Sequence, residues 1–260
     1  MPVRAAHLGD ALASEWTKIR SVRSTMWTLG VMILLMVSIG LGVAAIASGA
    51  DVSTGGQSAL AFGFFGMLPA SICVITLGVL TISSEYGTGM IRTTLTACPS
   101  RGRVLTAKAI VFFLLVFSVT TVVATLVAVA QVALVDTAAT PTGAEWLRAT
   151  VGAGAYLALL GLLSLAVGSL VRHSAGAITV MIGLLLLPLV AAMFMMAEAL
   201  KSVQEFLFTY AIPSQMIALY NATPQFGDSG PAGWDTLLIM AVVAAAALGG
   251  AYAVLNSRDV

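Results

Sequence analysis

Apolar residues in this chain fall in long runs rather than in the alternating pattern of half-buried strands. A membrane-spanning helix needs about 20 consecutive, mostly apolar residues. Six stretches reach that length: residues 27–48, 61–83, 104–135, 150–171, 174–197 and 234–255. The fourth and fifth are separated only by Arg172 and His173, which predicts a tight turn and antiparallel neighbours. The third would be about 48 Å long as a helix, against a hydrocarbon core of about 30 Å. Its start, which carries Lys108, is therefore predicted to project beyond the membrane. In the fourth, Gly154, Ala158, Gly161, Ser164 and Gly168 recur at spacings of three and four, a stripe suited to close helix packing. Pro188 predicts a kink in the fifth, followed by the adaptable cluster Met193, Phe194, Met195 and Met196.

Three segments outside these runs carry their own pattern. In residues 8–23, Leu8, Leu12, Trp16 and Ile19 share one helical face. This predicts an interfacial helix with its Trp at headgroup depth and its bases toward anionic lipid; the alternative is a short helix serving only as a topology signal. In residues 84–103, Met90, Ile91, Thr94 and Leu95 form one face of a short helix. Thr88 is placed to cap its start, Pro99 to stop it and Ser100 to cap the next span. Such a face needs a partner protein or the membrane surface to cover it, unless the segment is an ordinary basic loop. Residues 198–233 are too polar to span and too long for a turn. Their apolar clusters, Phe206 to Ala211 and Met216 to Tyr220, predict two short helices broken at Pro213 and dipping into the outer leaflet.

Composition removes most other classes of protein. Of 260 residues, 59% are apolar and 9% charged, against about 25% charged in soluble domains. A soluble enzyme cannot be clothed in so few charges, and a disordered chain would be poor in apolar residues. The fold class is thus an all-α polytopic membrane protein with six transmembrane helices and an N-terminal interfacial helix, forming one transmembrane domain over residues 1–260. With the N-terminus inside, ten of the 12 basic residues fall in inner segments, and only Arg148 and Lys201 fall outside. The positive-inside rule then places both termini in the cytoplasm. The first span exceeds the 7–15 residues of a signal core and is expected to be retained.

The chemistry of the side chains narrows function further. No Asp, Glu, Lys or Arg lies in the middle of a predicted span, which counts against a proton-coupled carrier. The hydroxyls within spans (Ser38, Thr76, Ser118, Thr120, Thr121, Thr125, Ser164, Ser169, Thr179) can each bond back to their own helix, and Gln131 lies near an outer end where water can reach it. No Lys follows a Gly, so the chain has no phosphate-cradling P-loop. No HExxH or paired CxxC occurs, so neither a metal site nor a catalytic constellation can be assembled, and nothing points to nucleic acid.

The segment SEWTKIRSVRSTMW near the N-terminus, the six runs, and SSEYGTGMIRTTLTACPSRGRVLTAKAIV between the second and third together resemble the bacterial ABC type-2 transporter permeases, actinobacterial members in particular. The likeness covers nearly the whole chain and is most specific from Glu85 to Lys108. It implies the permease subunit of an ATP-driven exporter in the cell membrane, without catalytic residues or cofactors of its own. ATP and Mg would sit on a separate ATP-binding-cassette subunit. A second permease copy or a relative would complete a dimer, with membrane lipid around it. The resemblance assigns Leu8, Leu12, Trp16 and Ile19 to the interfacial connecting helix. It assigns Glu85, Tyr86, Gly87, Met90, Ile91, Arg92, Thr94 and Leu95 to the coupling helix that contacts the ATPase. Spans two and five would line the substrate path, through Phe65, Met67, Thr76, Thr179, Met181 and Phe194. A secondary carrier or channel, and a non-transporting anchor or sensor for an ATPase, remain the alternatives.

Overall fold

The computed structural model describes residues 7–50, 58–90, 101–135, 139–195, 197–221 and 230–257. Their elements are α1 (Leu8–Ser21), α2 (Arg23–Gly49), a 3-10 turn (Ala59–Phe62) leading into α3 (Gly63–Gly87), α4 (Arg101–Leu134), α5 (Gly143–Leu147), a π-helical turn (Arg148–Gly152) continuing into α6 (Ala153–Val171), α7 (Ser174–Phe194), α8 (Lys201–Tyr210), α9 (Ile212–Asn221) and α10 (Trp234–Ser257). Among the described residues, six helical stretches are long and apolar enough to cross a membrane. Among the described residues the only β-type pairing is one isolated bridge, Ser58 to Ala139. The chain is an all-α polytopic membrane protein.

The small-residue stripe decides which helix lies in the middle. α6 packs against α3, α4, α7 and α10. A Cβ on Gly161 would lie 2.5 Å from the Phe112 ring, and one on Gly78 of α3 would lie 2.5 Å from the Gly161 carbonyl oxygen. Side chains at Gly154 and Gly168 would meet Thr121 and Val79. The glycines thus let the backbones approach, as close packing in lipid requires. Tyr156, Leu157, Leu160 and Leu165 of α6 are fully buried among Val74, Ile75, Phe112 and Met181.

Several boundaries run past the apolar segments, for local reasons. The fourth span begins at Gly143 rather than 150, because Thr142 and Glu145 form a capping box. The second span continues to Gly87 instead of stopping at 83, which brings Glu85 and Tyr86 onto the helix. Thr88, expected to cap a following helix, instead ends this one: its hydroxyl donates to the Ser84 carbonyl at 2.8 Å. Gly89 follows with φ +71°, a conformation that favours glycine. The fifth span stops at Phe194, short of 197, and Pro188 lies within a continuous helix. The two helices expected in 198–233 are α8 and α9, but the break falls at Ala211. Pro213 sits in the first turn of α9, where its missing N–H costs nothing.

The hydroxyls of Ser38, Thr76, Ser118, Thr120, Thr125, Ser164, Ser169 and Thr179 all donate to carbonyls of their own helices. Gln131 departs from the expectation that it is wet. It is 1% exposed and donates Nε2 to the Gly40 carbonyl of α2 at 3.0 Å. A buried amide needs such a partner, and the missing side chain of Gly40 makes room for the neighbouring Val127.

Candidate functional site

The end of the bundle that carries α1 holds four charged side chains in contact. Glu15 comes from the middle of α1 and Lys18 from one turn later. Glu85 comes from the last turns of α3, and Lys108 from the third turn of α4. Lys108 Nζ lies 2.6 Å from Glu15 Oε2 and 2.9 Å from Glu85 Oε1. Lys18 Nζ lies 2.7 Å from Glu15 Oε1 and 3.0 Å from the same Glu85 Oε1. Two lysines therefore share one oxygen of Glu85, while Glu15 gives each lysine an oxygen of its own. Formal charge sums to zero within the group. Lys108 is 1% exposed, Glu15 3% and Glu85 5%.

Burial of this depth is stable only because every charge has an opposite partner. Lys18, the least buried, shows the balance. Burial pulls its pKa down, but hydrogen bonds to Glu15 and Glu85, reinforced by their charges, outweigh that and hold it above the ordinary lysine value. The sequence folds this way because α4 is longer than a membrane core. Its first turns stand beside α1, and Lys108 there finds carboxylates rather than lipid. One contact ties a further element to the same end: the Arg172 guanidinium lies 5.2 Å from the centre of the Tyr86 ring. Arg172 adopts φ 56° in the turn between α6 and α7.

The interfacial-helix residues divide between two faces. Ile19 is buried and Leu12 half-buried, whereas Leu8 and Trp16 are exposed, with Arg20 stacked 6.0 Å from the Trp16 ring. The face of α1 that meets the bundle is centred on Glu15 and Ile19, not on all four apolar positions. Of the coupling-segment residues, Glu85 corrects the expectation most. Its side chain points inward onto lysines, because pairing outweighs exposure at that turn, and it is not on an open docking surface. Tyr86 packs against Arg172, and Met90 is exposed. Ile91, Arg92, Thr94 and Leu95 lie outside the described residues.

The six pathway residues do not share one surface. Met67 and Met181 are fully buried in the core, two positions and so about 200° around the helix from exposed Phe65 and Thr179. Thr76 is half-buried and Phe194 is 80% exposed. Thr179 lines a shallow apolar cavity of about 590 Å³ on the outer face of α7, with Ile182, Gly183, Leu186, Leu187 and Val190.

Sequence reasoning missed Glu15 and the role of Lys108. The signal available was that Glu15, three residues before Lys18, is one of few acids on an otherwise basic side of the membrane. Residues 11–187 match the family model described as ABC-2 family transporter protein. The match runs from α1 through two thirds of α7 and contains all four charged residues. No curated protein matches the chain.

Proposed function

This chain belongs to the ABC-2 transporter family and is a membrane transport subunit; we propose that it is the permease of an ATP-driven exporter in the cytoplasmic membrane. ATP is hydrolysed by a separate ATP-binding-cassette subunit, and a second permease, identical or related, completes the assembly. Both termini face the cytoplasm, in keeping with the distribution of basic residues.

The observation that carries this reading is the position of the charged group relative to residues 91–100. Glu85 stands just before that segment and Lys108 just after it, and the two are in contact. Force applied to the segment by a docked ATPase therefore reaches α3 and α4 together, and through Glu15 and Lys18 it reaches α1. The exposed Met90, with Ile91, Thr94 and Leu95, supplies the apolar face that docks. ATP binding can shift α7 only if the two access states differ in their contacts with the ATPase.

The test is an affinity purification from mildly solubilised native membranes, with ATP hydrolysis measured on the eluate. A soluble ATPase sensitive to vanadate co-purifies with the wild-type chain. Leu95→Asp inserts normally and loses it. A chain that purifies alone under several mild detergents would remove the exporter reading, as would a Leu95→Asp chain that retains full ATPase association and export.

A further inference from the structure

Beside the charged group lies a half-open cavity of about 200 Å³ between α1, the start of α2 and the end of α3. A single water needs only about 10–15 Å³ of such space. Ile19, Val22, Leu77, Leu80 and Met90 form apolar walls. Lys18 and Lys108 also reach the lining, but both already donate to Glu15 and Glu85, and four of the hydroxyls there offer acceptors only. The hydroxyls of Ser21, Thr28, Thr81 and Ser84 each give their proton to a carbonyl of their own helix, at 2.7 to 2.9 Å. Each keeps lone pairs and has no proton left to offer. Glu85 also lines the cavity, and its Oε2 is buried without any hydrogen-bond partner, although its Oε1 accepts from two lysines. An unpaired carboxylate oxygen beside spent hydroxyls calls for a ligand rich in N–H donors.

We propose that this cavity binds a primary ammonium group carried on an amphiphile, such as the ethanolamine headgroup of a phospholipid in the adjacent leaflet. The ammonium donates to Glu85 Oε2 and to the hydroxyls of Thr81 and Ser84, and the glycerol and upper acyl carbons lie against Val22, Leu77 and Leu80. Terminal carboxylate torsions are soft, so the free oxygen of Glu85 can turn toward the cavity without breaking the backbone hydrogen bonds of α3. The charged group is neutral as it stands, so a zwitterion suits it better than a bare cation. Lys18 and Lys108 are engaged by Glu15 and Glu85, so Arg23, exposed immediately before Ser24 of the rim, is the base for the phosphate. This site does not depend on the direction or energy source of transport.

The chain, alone or with its partner, is placed in nanodiscs of phosphatidylcholine with a minor share of phosphatidylethanolamine, then re-extracted, and its retained lipid is measured by native mass spectrometry. Hydrogen bonds to a charged group predict about tenfold enrichment of phosphatidylethanolamine over phosphatidylcholine. N-methylated headgroups fall between them in order of remaining N–H groups. Thr28→Phe, which fills the cavity, abolishes the enrichment. Thr81→Val, which removes one acceptor without added bulk, lowers it severalfold and serves if Thr28→Phe fails to fold. Free ethanolamine that displaces the lipid would assign the ammonium to a soluble source, and failure to displace it assigns the lipid. Equal retention of the two lipids, preference for phosphatidylglycerol, or enrichment surviving the filled cavity would each overturn the proposal, leaving only water beside Glu85.

Discussion

The two ends of the bundle are held together by different chemistry. At the end carrying α1, four full charges from three helices meet within 3.0 Å. At the other end, α8 and α9 are fastened by neutral groups. Gln204 Nε2 donates to the Ala192 carbonyl at 2.9 Å, and Gln215 Nε2 to the Thr209 carbonyl at 2.7 Å. Met216 and Leu219 are buried with them. A neutral hydrogen bond nets about 0.5–1.5 kcal/mol, and its loss is local. A buried ionic group behaves as a unit, because removing one member leaves an uncompensated charge in a dry site. The first end is therefore a joint that holds or fails together, and the second can be loosened piece by piece.

That contrast can be broken from either side. The largest effect belongs to Lys108→Met, which leaves Glu15 and Glu85 facing each other with Lys18 alone between them. We expect a loss of about 3–5 kcal/mol, read as a lowered thermal midpoint in detergent. Replacing all four charges (Glu15→Leu, Lys18→Met, Glu85→Leu, Lys108→Met) should recover most of that stability, since packed apolar residues often match a buried ion pair. If Lys108→Met melts like the wild type, the group is not a joint. Next comes the packing that both ends share. Gly161→Leu drives a side chain into Phe112 and Val74 and should cost about 1–3 kcal/mol, visible in the same melting assay. Gln204→Ala, at the neutral end, should cost about 1 kcal/mol and increase proteolysis near α8 while leaving α1 docked.

The smallest effect is that of pH. The pKa of Lys18 is raised in the folded protein, so its contribution is complete below its ordinary value of 10.5 and is lost only as pH climbs through the higher folded value. In a background with Cys73→Ala and Cys98→Ala, a thiol introduced by Ile19→Cys is buried and should resist labelling from neutral to mildly alkaline pH. Labelling that rises near neutrality faster than that of the same thiol in the unfolded chain, whose rate tracks the thiolate fraction alone, would show that some other group holds α1.

The architecture was legible from the sequence because its signals are local and repeated. Six apolar runs, a tight Arg172–His173 turn and the glycine stripe in the fourth run each follow from composition or spacing within one segment. The charged joint was not legible, because its members lie 67 and 93 residues apart and no periodicity links them. Worse, the apolar pattern of α1 drew attention to Leu8 and Trp16, which are exposed, and away from Glu15, which is the residue that faces the bundle. Gln131 was misread for the same reason: its partner is a backbone carbonyl on another helix. The pathway residues suffered from register. Choosing Phe65 with Met67, and Thr179 with Met181, spans opposite faces of a helix, which separates exposed from buried positions.

The central claim is that the charged joint carries motion from a docked ATPase into the spans. It is tested most directly by a reporter at the far end of α7. Phe194→Cys, at an exposed position in the same cysteine-free background, would be labelled in native membrane vesicles with and without ATP and vanadate. The account predicts that nucleotide trapping changes the labelling rate when the joint is intact. It predicts no change in the four-residue apolar replacement, although the ATPase still co-purifies. An equal change in both chains, with the ATPase bound to each, would contradict it.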